Sequence, residues 1–147
     1  MTTKTLYTAH AAAKGGRNGH SQTLDGKLSF ELALPGSSTQ KSGPVTNPEE
    51  LFACGYAACF GSALEYAAGL QKISVGGAEV RTDVSLNQSE SGFSISATLN
   101  VSIPGLDQAT TAKLVEAAHQ VCPYSKATRG NIDVSLLVND QPLAEAA

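Results

Sequence analysis

Between Asn47 and Gln71 the chain carries a segment that leaves little choice of architecture. Asn47 is a good helix N-cap, Pro48 suits the first helical position, and Glu50 stands three residues after the cap as a capping-box partner. Beyond it come Leu51, Phe52, Ala53, Cys54, Tyr56, Ala57, Ala58, Cys59, Phe60, Ala63, Leu64, Tyr66, Ala67, Ala68 and Leu70. They cover nearly the whole circumference of a helix rather than one stripe, and a helix apolar all round is buried all round. At ~1.5 Å per residue this rod is about 36 Å long. A domain of 147 residues is about that wide and has trouble covering it on every side. A partner subunit supplies the missing cover, so the helix predicts an obligate dimer with itself at the centre.

The rest of the pattern is strand and helix in alternation. Val80, Val84 and Leu86 alternate with polar residues, as do Phe93, Ile95, Ala97, Leu99, Val101 and Ile103. Period two with one polar face predicts half-exposed antiparallel strands, with Ser89-Glu-Ser-Gly92 as their hairpin. Pro104-Gly105 ends the second strand, Asp107 caps a helix carrying Leu114, Val115, Ala118 and Val121, and Pro123 stops it. Ile132, Val134, Leu136 and Val138 form a last strand. Two short strands joined through Gly15-Gly16-Arg17-Asn18-Gly19 precede the long helix, and Pro35 to Pro44 reads as a surface loop. Antiparallel sheet with two helices is an α+β fold. One domain is expected over 1–147, with about 140–147 as a frayed tail.

Composition narrows the function. The net charge is -3, and the ten Lys and Arg are scattered, so neither nucleic acid nor an anionic membrane is expected as a partner. No apolar run reaches the length of a membrane span, and Met1 to His10 has no export signal. A cytoplasmic location is expected. Three cysteines, Cys54, Cys59 and Cys122, are then either buried small hydrophobes or working thiols.

From the residues alone that choice stays open. Cys59, in a buried helix and three turns from its N-terminus, needs a cation from elsewhere to become a thiolate. Cys54 and Cys59, five apart on a helix, are roughly 8.7 Å apart at Cα and do not bridge while the helix is intact. Cys122, pinned before Pro123 at a helix end, has room to move. His119 and Cys122 share a helix face and raise the idea of a metal site, but no Cys-x-x-Cys pair or second well-spaced histidine supports it.

Two stretches sharpen these signals. Thr46-Asn-Pro-Glu-Glu-Leu-Phe-Ala-Cys-Gly-Tyr-Ala-Ala-Cys-Phe60 and Ala118-His-Gln-Val-Cys-Pro-Tyr-Ser-Lys-Ala-Thr-Arg-Gly-Asn-Ile132 resemble the signature blocks of the organic hydroperoxide resistance proteins, within the wider Ohr/OsmC group. Leu6-Tyr-Thr-Ala and Gly15 to Gly19 resemble that family's N-terminus, and the likeness runs to about Val138. The resemblance implies an OsmC-like fold, with antiparallel sheets wrapped around long central helices in an intertwined homodimer. It implies a thiol peroxidase for alkyl or lipid hydroperoxides that uses no metal, haem or flavin. Cys59 matches the peroxidatic cysteine, Cys122 the resolving one, Arg17 the arginine that holds the thiolate, and Glu49 the carboxylate paired with that arginine. Dihydrolipoamide, on a lipoylated protein, is the implied reductant. Cys54 stands where alanine is expected and Glu50 where glutamine is common. Arg129 is the rival cation, expected to be structural in its turn. A sister OsmC-type peroxidase of broader range, and a redox sensor or binding protein without turnover, are the alternative functions.

Overall fold

The computed structural model describes residues 2–37 and 41–143. Part of the Pro35–Pro44 loop, and residues 144–147 of the expected tail, lie outside the described residues. The chain falls into two compact units, Met1–Leu51 and Phe52–Ala147.

The first unit is a four-stranded sheet in the order β1-β2-β3-β4, formed by Ala11–Lys14, His20–Thr23, Ser29–Leu32 and Val45–Thr46. The first two pairings are antiparallel, and β3 runs parallel to β4 with Glu31 opposite Val45. Between β1 and β2 the chain turns through a 3-10 segment, Gly16–Asn18, that presents Arg17. The turn depends on its glycines. Gly15 has φ +86°, a left-handed conformation that costs a side-chain-bearing residue, and a Cβ on Gly19 would collide with the Lys14 carbonyl oxygen.

The long helix α1, Pro48–Leu70, starts in this unit and continues through the second. Asn47 caps it, accepting a hydrogen bond from the Glu50 backbone N–H at 2.9 Å. The Glu50 carboxylate does not reach back to close the expected capping box; it accepts from the Thr46 hydroxyl at 2.9 Å.

In the second unit β5 (Glu79–Ser89) and β6 (Gly92–Ser102) form the expected hairpin, in register from Glu79 opposite Ser102 to Ser89 opposite Gly92. Two helices follow, α2 (Gln108–Val121) and α3 (Pro123–Thr128), then β7 (Val134–Val138) and β8 (Gln141–Pro142). Strand β7 lies parallel to β6, not antiparallel, because the α2–α3 crossover returns the chain to the same end of the sheet. The chain beyond Asn139, expected to fray, folds back as β8 against β7. Pro123 does not end helical structure either. It occupies the first turn of α3, where its missing N–H costs nothing, and Cys122 is the extended residue between two helices.

One stripe of α1, Tyr56, Phe60, Ala63, Leu64, Ala67 and Ala68, is buried with Leu99, Val101, Leu114, Val115 and Val138 in the core of this unit. The recurrence at three and four residues is that of a single helix face. The opposite face, with Cys54, Ala58, Ser62, Tyr66 and Leu70, is exposed. The described residues thus leave one face of the helix, Tyr66 and Leu70 included, uncovered.

The Gly19 contact gives a direct test. Alanine there collides with backbone, which cannot swing aside, so Gly19→Ala should destabilise the β1–β2 turn by ~1–3 kcal/mol. Thermal unfolding reads the loss, and a melt coincident with the wild type contradicts the geometry.

Candidate active site

Two thiols from distant parts of the sequence meet in the second unit. Cys59 lies in the middle of α1 and Cys122 at the α2–α3 junction, and their sulfurs are 3.5 Å apart. Both are free thiols, Cys122 fully buried and Cys59 partly so, while Cys54 is exposed. Burial pushes the Cys59 thiol up from its ordinary pKa. A hydrogen bond from the Tyr124 backbone N–H to its sulfur works in the other direction, and the neighbouring Cys122 raises it further. The sequence leads one to expect Cys122 beside a mobile loop. The structure instead seats it in the core, because helix resumes immediately after it.

Helix α3 is set closely onto α1. A Cβ on Gly55 would come within 2.6 Å of the Tyr124 hydroxyl oxygen, so any side chain there would have to push this ring aside. Tyr124 then packs against Phe52 and Tyr56, with ring centroids 5.8 and 5.6 Å apart. Behind it runs a buried polar chain. The Tyr56 hydroxyl is 2.8 Å from Ser125 Oγ and 3.2 Å from Thr128 Oγ1, and Ser125 Oγ is 2.8 Å from His119 Nδ1. Burial first, and the positive charge of Arg129 second, push the His119 pKa below its ordinary value. Arg129 itself donates to the His119 carbonyl oxygen at 2.8 Å, a structural role at the end of α2. Nothing in the sequence signalled this chain, since Tyr56 and Ser125 lie 69 residues apart. A separate cavity of about 790 Å³ is lined by α2 and β7 residues including Ala117, His119, Val134 and Leu136, and neither thiol lines it. Among the described residues, no three His, Cys, Asp or Glu side chains gather as a metal site.

In the first unit Arg17 and Glu49 form a two-pronged ion pair. Arg17 Nη1 donates to Glu49 Oε2 at 2.8 Å, and Nη2 to Oε1 at 2.7 Å. The parallel fork fixes the plane as well as the position of the guanidinium. A further anchor was invisible in the sequence. Lys41 Nζ donates to the carbonyl oxygens of Asn18 and Gly19, at 2.7 and 2.8 Å, and so ties down the turn that carries Arg17. Hydrogen bonds from Arg17 hold the Glu49 carboxyl below the usual carboxylate range, against an opposing push from burial. A carboxyl whose folded pKa is depressed stabilises the fold above its unfolded value and loses that contribution as pH falls through the folded one. Arg17→Ala should therefore move the Glu49 titration upward, which a pH series of carboxyl NMR shifts would read. A midpoint that stays put means the pair does not hold in solution.

Comparison with known proteins adds a second line of evidence. The family model described as OsmC-like protein matches residues 39–137. The chain is 50% identical to organic hydroperoxide resistance protein OhrB of Bacillus subtilis strain 168 over 134 residues, covering 89% of this chain and 96% of that one. It is 47% identical to the organic hydroperoxide resistance protein of Xanthomonas axonopodis pv. citri strain 306 over 134 residues, 90% and 94% of the two chains. The crystal structure of the Bacillus subtilis OhrB protein superposes with a TM-score of 0.85 at 48% identity, over 91% of this chain and 99% of that one. Sequence blocks, fold and relatives agree: the chain belongs to the OsmC-like family, among its organic hydroperoxide resistance proteins.

Proposed function

We propose that this protein is a cysteine-based peroxidase that reduces organic hydroperoxides to alcohols. The observation that carries the reading is the 3.5 Å approach of Cys59 and Cys122, the two cysteines on the family's signature blocks. The Cys59 thiolate attacks one peroxide oxygen, the O–O bond breaks, and the alcohol leaves once its alkoxide takes up a proton. Cys59 is left as a sulfenic acid. The Cys122 thiolate then attacks the Cys59 sulfur, water departs, and a Cys59–Cys122 disulfide forms. An external dithiol, dihydrolipoamide on a lipoylated protein, returns both cysteines to thiols by exchange. No resident cofactor enters this cycle.

Arg17 is the cation in this scheme. Its guanidinium favours the thiolate and the departing alkoxide, and Glu49 aims it and partly neutralises it between turnovers. The names of the relatives support an organic hydroperoxide as substrate, and the apolar core against which Cys59 packs suits an apolar peroxide. We take the working protein to be a homodimer. Tyr66 and Leu70, one turn apart on α1, are 61% and 72% exposed in the single chain and form apolar surface that a second subunit would cover. No helix among the described residues is long and apolar enough to cross a membrane.

Steady-state turnover of an alkyl hydroperoxide with dihydrolipoamide, set against thioredoxin, tests the activity and its reductant. Cys59→Ser should abolish turnover and Cys54→Ser should largely keep it; equal loss in both sinks the assignment. A single stoichiometric oxidation without turnover would identify a sensor instead. Arg17→Ala should slow peroxide attack by ~10²-fold or more, the scale of one lost charge-stabilising donor. Light scattering at micromolar concentration should give the mass of a dimer, and a monomer would leave the exposed α1 face unexplained.

A further inference from the structure

Tyr56 and Cys59 are three residues apart on α1, and so share a face. Cys122 and Ser125 are likewise three apart, at the start of α3. The two segments therefore meet at two rungs of equal spacing, sulfur to sulfur at 3.5 Å and hydroxyl to hydroxyl at 2.8 Å. Resting on the disulfide reading above, we propose that the Tyr56 hydroxyl is a positioning residue for the resolving step. Through Ser125 and Thr128 it fixes the first turn of α3 on α1, and so sets the distance across which Cys122 reaches the oxidised Cys59.

The resolving step needs such a device. Cys122 gives up its proton and its sulfur attacks the Cys59 sulfenic sulfur. The S–O bond breaks, and the departing hydroxide takes a proton to become water. Cys122 is oxidised and the sulfenic sulfur reduced, with no outside electrons. From 3.5 Å the sulfurs must converge to ~2.05 Å, so α3 has to move slightly without drifting away. Until they do, a second peroxide competes for the sulfenic acid and converts it to a sulfinic acid that thiols do not restore. Apolar packing of Tyr124 holds α3 against α1 but tolerates sliding; a hydrogen bond between buried groups fixes register. Tyr56 and Ser125 are fully buried and Thr128 nearly so, so no water substitutes freely for the tie.

Tyr56→Phe isolates the effect. The ring keeps its packing on Phe52, Phe60 and Tyr124. Ser125 keeps His119, and Thr128 keeps the Ser125 carbonyl oxygen at 3.2 Å, so neither hydroxyl is orphaned. The variant should fold, which its thermal melt reports, while the cross-helix tie is cut. Stopped-flow oxidation with cumene hydroperoxide, with intact-mass analysis, separates the two steps. Sulfenic acid formation on Cys59 should keep its wild-type rate while disulfide closure slows by about 10- to 100-fold, the usual penalty for a small misplacement of reacting groups. Sulfinic acid should then accumulate at peroxide concentrations the wild type survives. Ser125→Ala should slow closure similarly, and the double variant should add little, since both cut one tie. Closure at the wild-type rate in Tyr56→Phe overturns the proposal. So does an equal slowing of both steps, which would tie the hydroxyl to the site as a whole. Failure of the wild type to form a Cys59–Cys122 bridge removes the underlying reading, and is told apart because it appears before any variant is made.

Discussion

Tyr56, Phe60, Leu64 and Ala67 on α1 lose nearly all their exposure in a core shared with Leu99 and Val101 of β6 and Leu114 and Val115 of α2, and this burial decides where the thiols are. Each large side chain so buried contributes ~1.5–3 kcal/mol, and a domain's net stability is only about 5–15 kcal/mol, so the helix has one tolerable rotation. With that rotation fixed, Cys59 falls beside Phe60 at the margin of the buried stripe, about 100° round the axis. It is therefore half-buried by construction. The same packing anchors α2, whose end delivers Cys122 to the middle of α1. The sulfur–sulfur approach follows from a hydrophobic contact in which Cys122 is a buried member and Cys59 packs at the edge.

The electrostatics at Cys59 oppose each other, and burial wins. Loss of water disfavours the thiolate, the Tyr124 backbone N–H favours it, and Cys122 disfavours it again, for a net upward shift. Part of that cost is returned, because thiolate nucleophilicity rises with thiol pKa with a Brønsted slope of roughly 0.4–0.5. The remainder calls for a fixed cation. In the mechanism proposed above that cation is Arg17: hydrogen bonds to Glu49 raise its already high pKa, so it never titrates in the working range, and the forked geometry holds its orientation. Lys41 bonds to two carbonyl oxygens of the turn that carries it, so the cation is held through its backbone as well as its side chain.

Local rules reached as far as local forces do. The Asn47-Pro48 start of α1, the β5–β6 hairpin and the Asp107 cap of α2 were legible because periodicity and capping chemistry act over a few residues. The parallel pairing of β6 with β7 was not, since strand direction is set by the α2–α3 crossover rather than by any residue in β7. Cys122-Pro123 was read as a stop because proline ends one helix as readily as it opens the next; with α3 behind it, Cys122 is buried and not at a loop. Among the candidate residues, the family resemblance marked Arg17, Glu49, Cys59 and Cys122, and the structure joins them as two pairs, one in each unit. Lys41, Gly55 and the Tyr56–Ser125–His119 chain escaped notice because each acts through a contact between distant segments. A lysine after a serine-rich loop, a glycine in a helix and a tyrosine on an apolar face carry no signal in isolation.

The uncovered face of α1 bears on the chemistry as well as on assembly. Cys54, Ala58 and Ser62 recur every fourth residue along it, all small, which lets another helix backbone come close. Tyr66 and Leu70 continue the same face as exposed apolar bulk. Cys59 lies next to Ala58, between this face and the buried stripe. A second subunit seated here would strip further water from around the sulfur and raise the cost of its charge, and so would increase what the thiolate gains from any cation that stabilises it. If the proposed dimer and peroxidase readings both hold, association and activation become one problem. The cover that satisfies the helix would also deepen the apolar surroundings proposed for an organic hydroperoxide, and would make a permanent cation more necessary as it did so.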